Sequence, residues 1–185
     1  MERFHGSFEY SLDGKGRLIL PARLRIHFES KRVLVSCYVD RCLAVWTPQQ
    51  FDRHLARAEA MEGRGLVGRN LARALSAMSA EVELDGQWRL TIPPNLRDYA
   101  GLEPERPVTV VGALNRIELW RAELWKQQMQ PSLESLADGT SPLFLGEPLL
   151  GEQLLAGSGP PGTAAGTGVA QPVGSPQAQA SGAQK

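Results

Sequence analysis

Two five-residue strings, Asp13-Gly14-Lys15-Gly16-Arg17 and Asp85-Gly86-Gln87-Trp88-Arg89, share the pattern Asp-x-x-x-Arg and lie 72 positions apart. An Asp side chain bonds nearby backbone, and Gly lets the chain reverse at positive φ, so each string reads as a tight turn between two strands. In the first, Lys15 and Arg17 project from a narrow tip. Such a tip can enter a groove of duplex DNA, where an ammonium meets phosphate and a guanidinium makes paired bonds to guanine. One such string describes an ordinary hairpin with solvated basic residues equally well. Two, each followed by Leu-x-(Ile/Leu)-Pro-x-x-Leu-Arg, are far more specific. The candidate DNA contacts are therefore Lys15, Arg17 and Arg89, with Asp13, Gly14, Gly16, Asp85 and Gly86 shaping the loops.

Other residues with chemical potential form no comparable set. Cys37 and Cys42 are too few for the four ligands of a structural zinc site, and His5, His27 and His54 have no ligand-like spacing near them. They read as buried free thiols; no metal, cofactor or catalytic constellation is expected. Arg64, Arg69 and Arg73 can touch phosphate from a helix face opposite Leu71 and Leu75, or form a solvated face or an intersubunit ion pair. Trp46 and Trp120 occupy matching positions of a repeat, which favours core packing over base stacking.

That repeat supplies the elements around the loops. Residues 9–25 and 81–97 are identical at nine of 17 positions, with a tenth an exchange of Leu20 for Ile92. Further on, Trp46 aligns with Trp120, so each copy spans about fifty residues. A strand over Phe8–Leu12 leads into the turn; Leu18–Leu20 forms a short strand stopped by Pro21, and Ala22–Phe28 makes one or two helical turns. Val33–Val35 and Leu43–Trp46 form a further strand pair. Leu90–Ile92, Val108–Val111 and Ile117–Trp120 repeat the scheme. Thr47 caps a helix with Pro48 at its first position. Gly63 and Gly65 separate it from a second helix over Leu66–Met78. A third covers Ala122–Met129, and Pro131 is expected to end it. The expected fold is α+β: two related β-hairpin units around a small barrel-like core, with helices between and after them. The expected division is 1–60 and 81–130 for the two units, 61–80 for a connecting helix and 131–185 for a disordered tail.

The chain of 185 residues has 20 basic and 20 acidic side chains, so any basic surface must come from geometry rather than bulk charge. The first 80 residues carry 13 Lys/Arg against 8 Asp/Glu, a net of +5. Arg supplies 16 of the 20 cations, the type whose planar fork suits phosphate and guanine edges. In residues 156–185, Gly, Ala and Pro fill 18 of 30 positions, too little apolar surface to offset ordering entropy. With neither a signal-peptide core nor a run of about 20 apolar residues, the expectation is a soluble cytoplasmic protein without a membrane or small-molecule substrate.

The paired Asp-x-x-x-Arg strings resemble the MraZ family. So do the tandem half-repeats, Leu24-Arg25 and Leu96-Arg97, Tyr99-Ala100-Gly101-Leu102, and the run from Val111-Gly112 to Ile117-Glu118-Leu119-Trp120. The resemblance covers residues 1 to about 130. It implies two swapped-hairpin units of the AbrB type in one chain and a homo-oligomeric ring. It also implies nucleoid-associated repression of the division and cell-wall gene cluster through promoter direct repeats. Lys15, Arg17 and Arg89 inherit the family's DNA contacts, and Asp13 and Asp85 its loop-shaping role. Gln87 and Trp88 depart from the pattern, which favours a small residue before the arginine. A bulky aromatic tolerates positive φ poorly, so the second loop is expected either to be reshaped or to use Trp88 at a subunit or DNA contact. Two rivals are an AbrB-type antitoxin, which the Gly/Ala/Pro tail does not suit, and a ring scaffold for protein partners.

Overall fold

Each copy of the repeat folds as two strands, a helical turn, two strands and a helix. The computed structural model describes residues 3–145. The first copy gives β1 (Ser7–Ser11), β2 (Arg17–Ile19), a 3-10 turn (Ala22–His27), β3 (Arg32–Cys37) and β4 (Leu43–Trp46), then α1 (Pro48–Glu62). After α2 (Leu66–Ala77) the second gives β5 (Ser79–Glu83), β6 (Arg89–Thr91), α3 (Pro94–Ala100), β7 (Pro107–Ala113), β8 (Arg116–Arg121) and α4 (Ala122–Ala137). One unit ends at Gly139; of the second, which begins at Thr140, α5 (Pro142–Leu145) is the described element.

The copies exchange their first strands. The main sheet runs β1-β7-β8-β4-β3-β5. Thus β1 pairs antiparallel with β7 of the second copy, and β5 with β3 of the first. The second strands pair with each other across the repeat, Arg17 opposite Thr91, Leu18 opposite Leu90 and Ile19 opposite Arg89. The sheet has two edges, β1 and β5, so the barrel-like expectation becomes an open six-stranded sheet with the β2–β6 ribbon packed over it. The core joins the ribbon to both halves of the sheet: Leu18, Leu90, Val33, Val35, Val108 and Val110 are all fully buried in one cluster.

Local chemistry explains the ends of the helices. The Thr47 hydroxyl accepts from the Gln50 amide at 3.4 Å, and Pro48 occupies the first helical position, where its missing N–H costs nothing. Gly63 closes α1, and Gly65, at φ 88°, turns the chain into α2. The two helices meet closely at Gly68, where a Cβ would lie 1.8 Å from the Met61 carbonyl oxygen. Two expectations are corrected. α4 does not stop before Pro131 but continues to Ala137. Proline there removes its own amide from the ladder and crowds the carbonyl one turn back, on a stretch of helix whose neighbours are exposed. Residues 131–137 are therefore helical rather than disordered; the low-complexity part of the tail lies outside the described residues. Leu71 of α2 is 52% exposed, and most of that helix is exposed with it.

Truncating either central ribbon leucine, by Leu18→Ala or Leu90→Ala, should lower the unfolding free energy by about 2–5 kcal/mol in urea denaturation, because the cavity opens between the copies. Gly68→Ala should also destabilise, although Ala is the better helix former by about 1 kcal/mol at an unhindered site. A stability gain for that variant would show that α1 and α2 do not meet as described.

Candidate nucleic-acid interface

The two Asp-x-x-x-Arg loops close by the same bonds. The Asp13 amide donates to the Arg17 carbonyl at 2.9 Å, and the Gly16 amide to the Asp13 carbonyl at 2.8 Å. In the second loop the matching distances are 3.2 and 3.0 Å, with Trp88 in place of Gly16. The carboxylates do the rest. Asp13 Oδ1 accepts from the backbone amides of Lys15 and Arg17, both at 2.9 Å, while Oδ2 takes Arg17 Nε at 2.7 Å. Asp85 does the same for the Gln87 and Arg89 amides, at 2.8 and 3.0 Å, and for Arg89 Nε at 2.5 Å.

The chemistry of each arginine follows. Arg17 and Arg89 are not loose tips: each guanidinium is held by its own loop, with its side chain 26% and 29% exposed. Lys15 is the freely exposed cation of the first loop, and its counterpart Gln87 is uncharged. Side chains alternate across a strand. Leu18 and Leu90 point into the core, so Arg17, Ile19, Arg89 and Thr91 share the outer face of the ribbon, where Ile19 is 43% exposed. The structure thus brings Arg17 and Arg89 onto one short two-stranded surface and leaves Lys15 at the loop tip beside it.

Arg25 and Arg97 lie beside the loops. The Arg97 guanidinium lies against Gly16, where a Cβ would meet its Cζ at 2.8 Å, so a side chain at that point would require Arg97 to move. Its Nε is buried without a hydrogen-bond partner among the described residues. Arg25 holds the equivalent place under the second loop, donating from Nε to the Leu20 carbonyl at 2.8 Å. Sequence reasoning singled these arginines out only as part of a family pattern. Their identity across the repeat was the signal that they serve the loops.

The second loop is not reshaped. Trp88 takes φ 62°, the left-handed conformation that Gly16 takes at 74°, at an intrinsic cost of about 1–2 kcal/mol for a residue with a Cβ. Its indole packs against the core and lies under two cations, with Arg25 Cζ 5.8 Å and Lys31 Nζ 5.4 Å from the ring centroid. Such stacking and burial offset the backbone cost. Of the remaining candidates, Arg64, Arg69 and Arg73 are exposed and stand apart from the loops in sequence and element. Trp46 and Trp120 are buried, each in a small cluster separate from the main core. Cys42 is fully buried, and burial pushes its thiol up; Cys37 is half-buried and shifted the same way for the same reason.

The loop carboxylates carry a pH signature. The Arg17 side chain, then its backbone amide, holds Asp13 down at about 2; for Asp85 the Arg89 backbone amide leads, again to about 2. A carboxylate depressed in the folded state stabilises it fully above the ordinary value of 3.8, and that contribution fades as pH falls through about 2. An NMR titration of the Asp13 side-chain carbonyl should therefore show a midpoint near 2. In Arg17→Ala it should move back towards 3.8; an unmoved midpoint would mean that the arginine does not hold the carboxylate.

A family model described as "MraZ protein, putative antitoxin-like" matches residues 3–66 and 76–145, one loop in each segment. Proteins named "Transcriptional regulator MraZ" from two strains of Treponema pallidum, one of them strain Nichols, are similar to it. Each is 37% identical over 141 residues, which cover 76% of this chain and 93% of the relative. With both halves matched and most of each relative's length covered, the chain belongs to the MraZ family.

Proposed function

We propose that this chain is a DNA-binding transcriptional regulator that represses the division and cell-wall gene cluster by holding direct repeats in the promoter as a homo-oligomeric ring. The observation that carries the reading is the paired loop: two equivalent, carboxylate-clipped turns joined by β2 and β6, with Arg17 and Arg89 on one outward face. The major groove admits a two-stranded ribbon. Arginines whose rotamers are already fixed lose little entropy on meeting a base edge, and Lys15 at the tip suits phosphate. We assign the exchange of β1 and β5 to the AbrB-type swapped hairpin. We take 1–60 and 81–130 as the two MraZ/AbrB-like units, 61–80 as their connection and residues 156–185 as dispensable for binding.

One ribbon offers few base contacts, so a single copy binds weakly. A ring sets identical ribbons on successive repeats, and each bound one raises the effective concentration of the next. A near-neutral chain acts on DNA through this multiplicity and local placement rather than through net charge. No helix among the described residues is long and apolar enough to cross a membrane, and a cytoplasmic, nucleoid-associated location fits the proposal. The proposal assigns the chain no enzymatic role.

Arg17→Ala should lower the ratio of operator to scrambled-DNA affinity, each lost paired arginine contact being worth ~1–3 kcal/mol of discrimination. Arg89→Ala should act in the same direction but less, because its loop is braced by Trp88. Arg73→Ala should leave the ratio unchanged. Titrations at several salt concentrations separate these effects, and an unchanged ratio for both Arg17→Ala and Arg89→Ala would remove the ribbon as the reading element. Light scattering at micromolar concentration should return a closed multimer; a monomer mass throughout would end the ring proposal.

A further inference from the structure

Between α1 and the β7–β8 turn lies a cavity of about 150 Å³ whose chemistry the DNA reading does not use. Tyr38 and Trp46 line it from the β3–β4 region, and Asn115 and Arg116 from the turn. The α1 wall is made by Gln50, Arg53, His54 and Arg57, which recur at helical spacing on one face. No Asp or Glu lines it.

Its three arginines are not equivalent. Arg116 is already satisfied: Nε and Nη2 meet Glu118 Oε1 at 2.8 and 2.6 Å, and Nη1 donates to Asn115 Oδ1 at 3.0 Å. Its guanidinium also stacks 4.3 Å from the Tyr38 ring centroid. Arg53 and Arg57 form no ion pair among the described residues. The cavity mouth therefore carries two positive charges with no ion-pair partner among the described residues, both on exposed side chains of α1. Because the Asn115 carbonyl oxygen is taken by Arg116, its amide N–H groups remain available as donors. His54 stacks on Trp46 at 4.7 Å and 17°. Burial first, then the charges of Arg57 and Arg116, keep its pKa below the ordinary value. The groups facing it are Arg53 and Arg57 on its own helix, Tyr38 before β4, and Arg116 with its partner Glu118 on β8.

We propose that this cavity binds a phosphate group, either inorganic phosphate or the phosphate end of a small phosphomonoester, between Arg53 and Arg57. A phosphate carries about −1.5 to −2 charges at neutral pH and strong acceptor oxygens, which balances both arginines; a carboxylate would leave one unbalanced. The volume is below the ~300 Å³ of a site that encloses a drug-sized ligand, so the rest of an ester projects into solvent. The concave, ring-walled shape suits a small anion better than the extended backbone of a duplex.

The test is an NMR titration of the full-length protein at constant ionic strength, following the His54 ring, assigned through His54→Gln. Inorganic phosphate and AMP are the probes. Saturable shifts with a raised His54 pKa are expected. The double variant Arg53→Ala/Arg57→Ala should weaken binding by about a hundredfold or more, since each of the two charge-assisted contacts is worth about tenfold. Arg69→Ala/Arg73→Ala should not. Tenfold tighter binding of AMP assigns the site to an organic ester, and equal binding to phosphate itself. If the alanine pair disturbs the circular dichroism, Arg53→Gln/Arg57→Gln replaces it. The proposal is overturned if neither probe saturates, if both double variants lose binding equally, or if only duplex DNA moves His54.

Discussion

The pairing of β2 with β6 is the contact on which the rest of the molecule depends. It is three residues long on each side, with Leu18 and Leu90 meeting at its centre and fully buried. Two further bonds continue it into the loops: the Leu20 amide donates to the Trp88 carbonyl at 3.0 Å, and the Ile92 amide to the Gly16 carbonyl at 3.2 Å. Each loop is thus tied to the strand leaving the other. So short a ribbon would not persist alone in water; burial of its leucines over the sheet holds it. That burial requires the sheet to be built from both copies, which the exchange of β1 and β5 provides.

Duplication has kept the geometry and let the chemistry of the two loops diverge. One loop meets the left-handed requirement with Gly16 and fills the space with Arg97; the other meets it with Trp88 and surrounds the indole with Arg25 and Lys31. The first keeps an exposed Lys15, while the second has Gln87. The clip itself, carboxylate to guanidinium and amides, is the same in both. A requirement on backbone conformation and an ion pair are therefore what the two copies share most strictly, and the side chains around them are what differ.

Much of this was legible in the sequence, for local reasons. Turn residues, strand alternation, the Thr47 cap and the Gly63–Gly65 break all report chemistry within a few residues of themselves, and their elements form where expected. Strand partners are another matter. Alternation says that Phe8, Tyr10 and Leu12 share a face, but not that the strand lies beside β7. The rule that proline ends a helix fails at Pro131, where α4 runs on along an exposed stretch to Ala137. The engagement of Arg17 and Arg89 by Asp13 and Asp85 is only half visible there: the spacing shows, but a clipped arginine and a free one look alike in sequence. The cavity under α1 was not visible, because Tyr38, Arg53 and Arg116 come together only after the copies interleave.

The register of β1 sets the order in which the chain can be assembled. Ser7 pairs with Val111, and Ser11 with Pro107, so the first strand made must wait for nearly a hundred further residues before its partner exists. At typical synthesis rates of about 5–20 residues per second that is a delay of roughly 5–20 seconds. Until then β4 also lacks β8, and an edge that is internal in the finished sheet is open. Pairings of such long sequence separation slow folding, because loop closure must precede the contacts that reward it. The architecture that locks two copies into one sheet thus leaves the nascent first copy, with its hydrophobic strands, dependent on the arrival of the second.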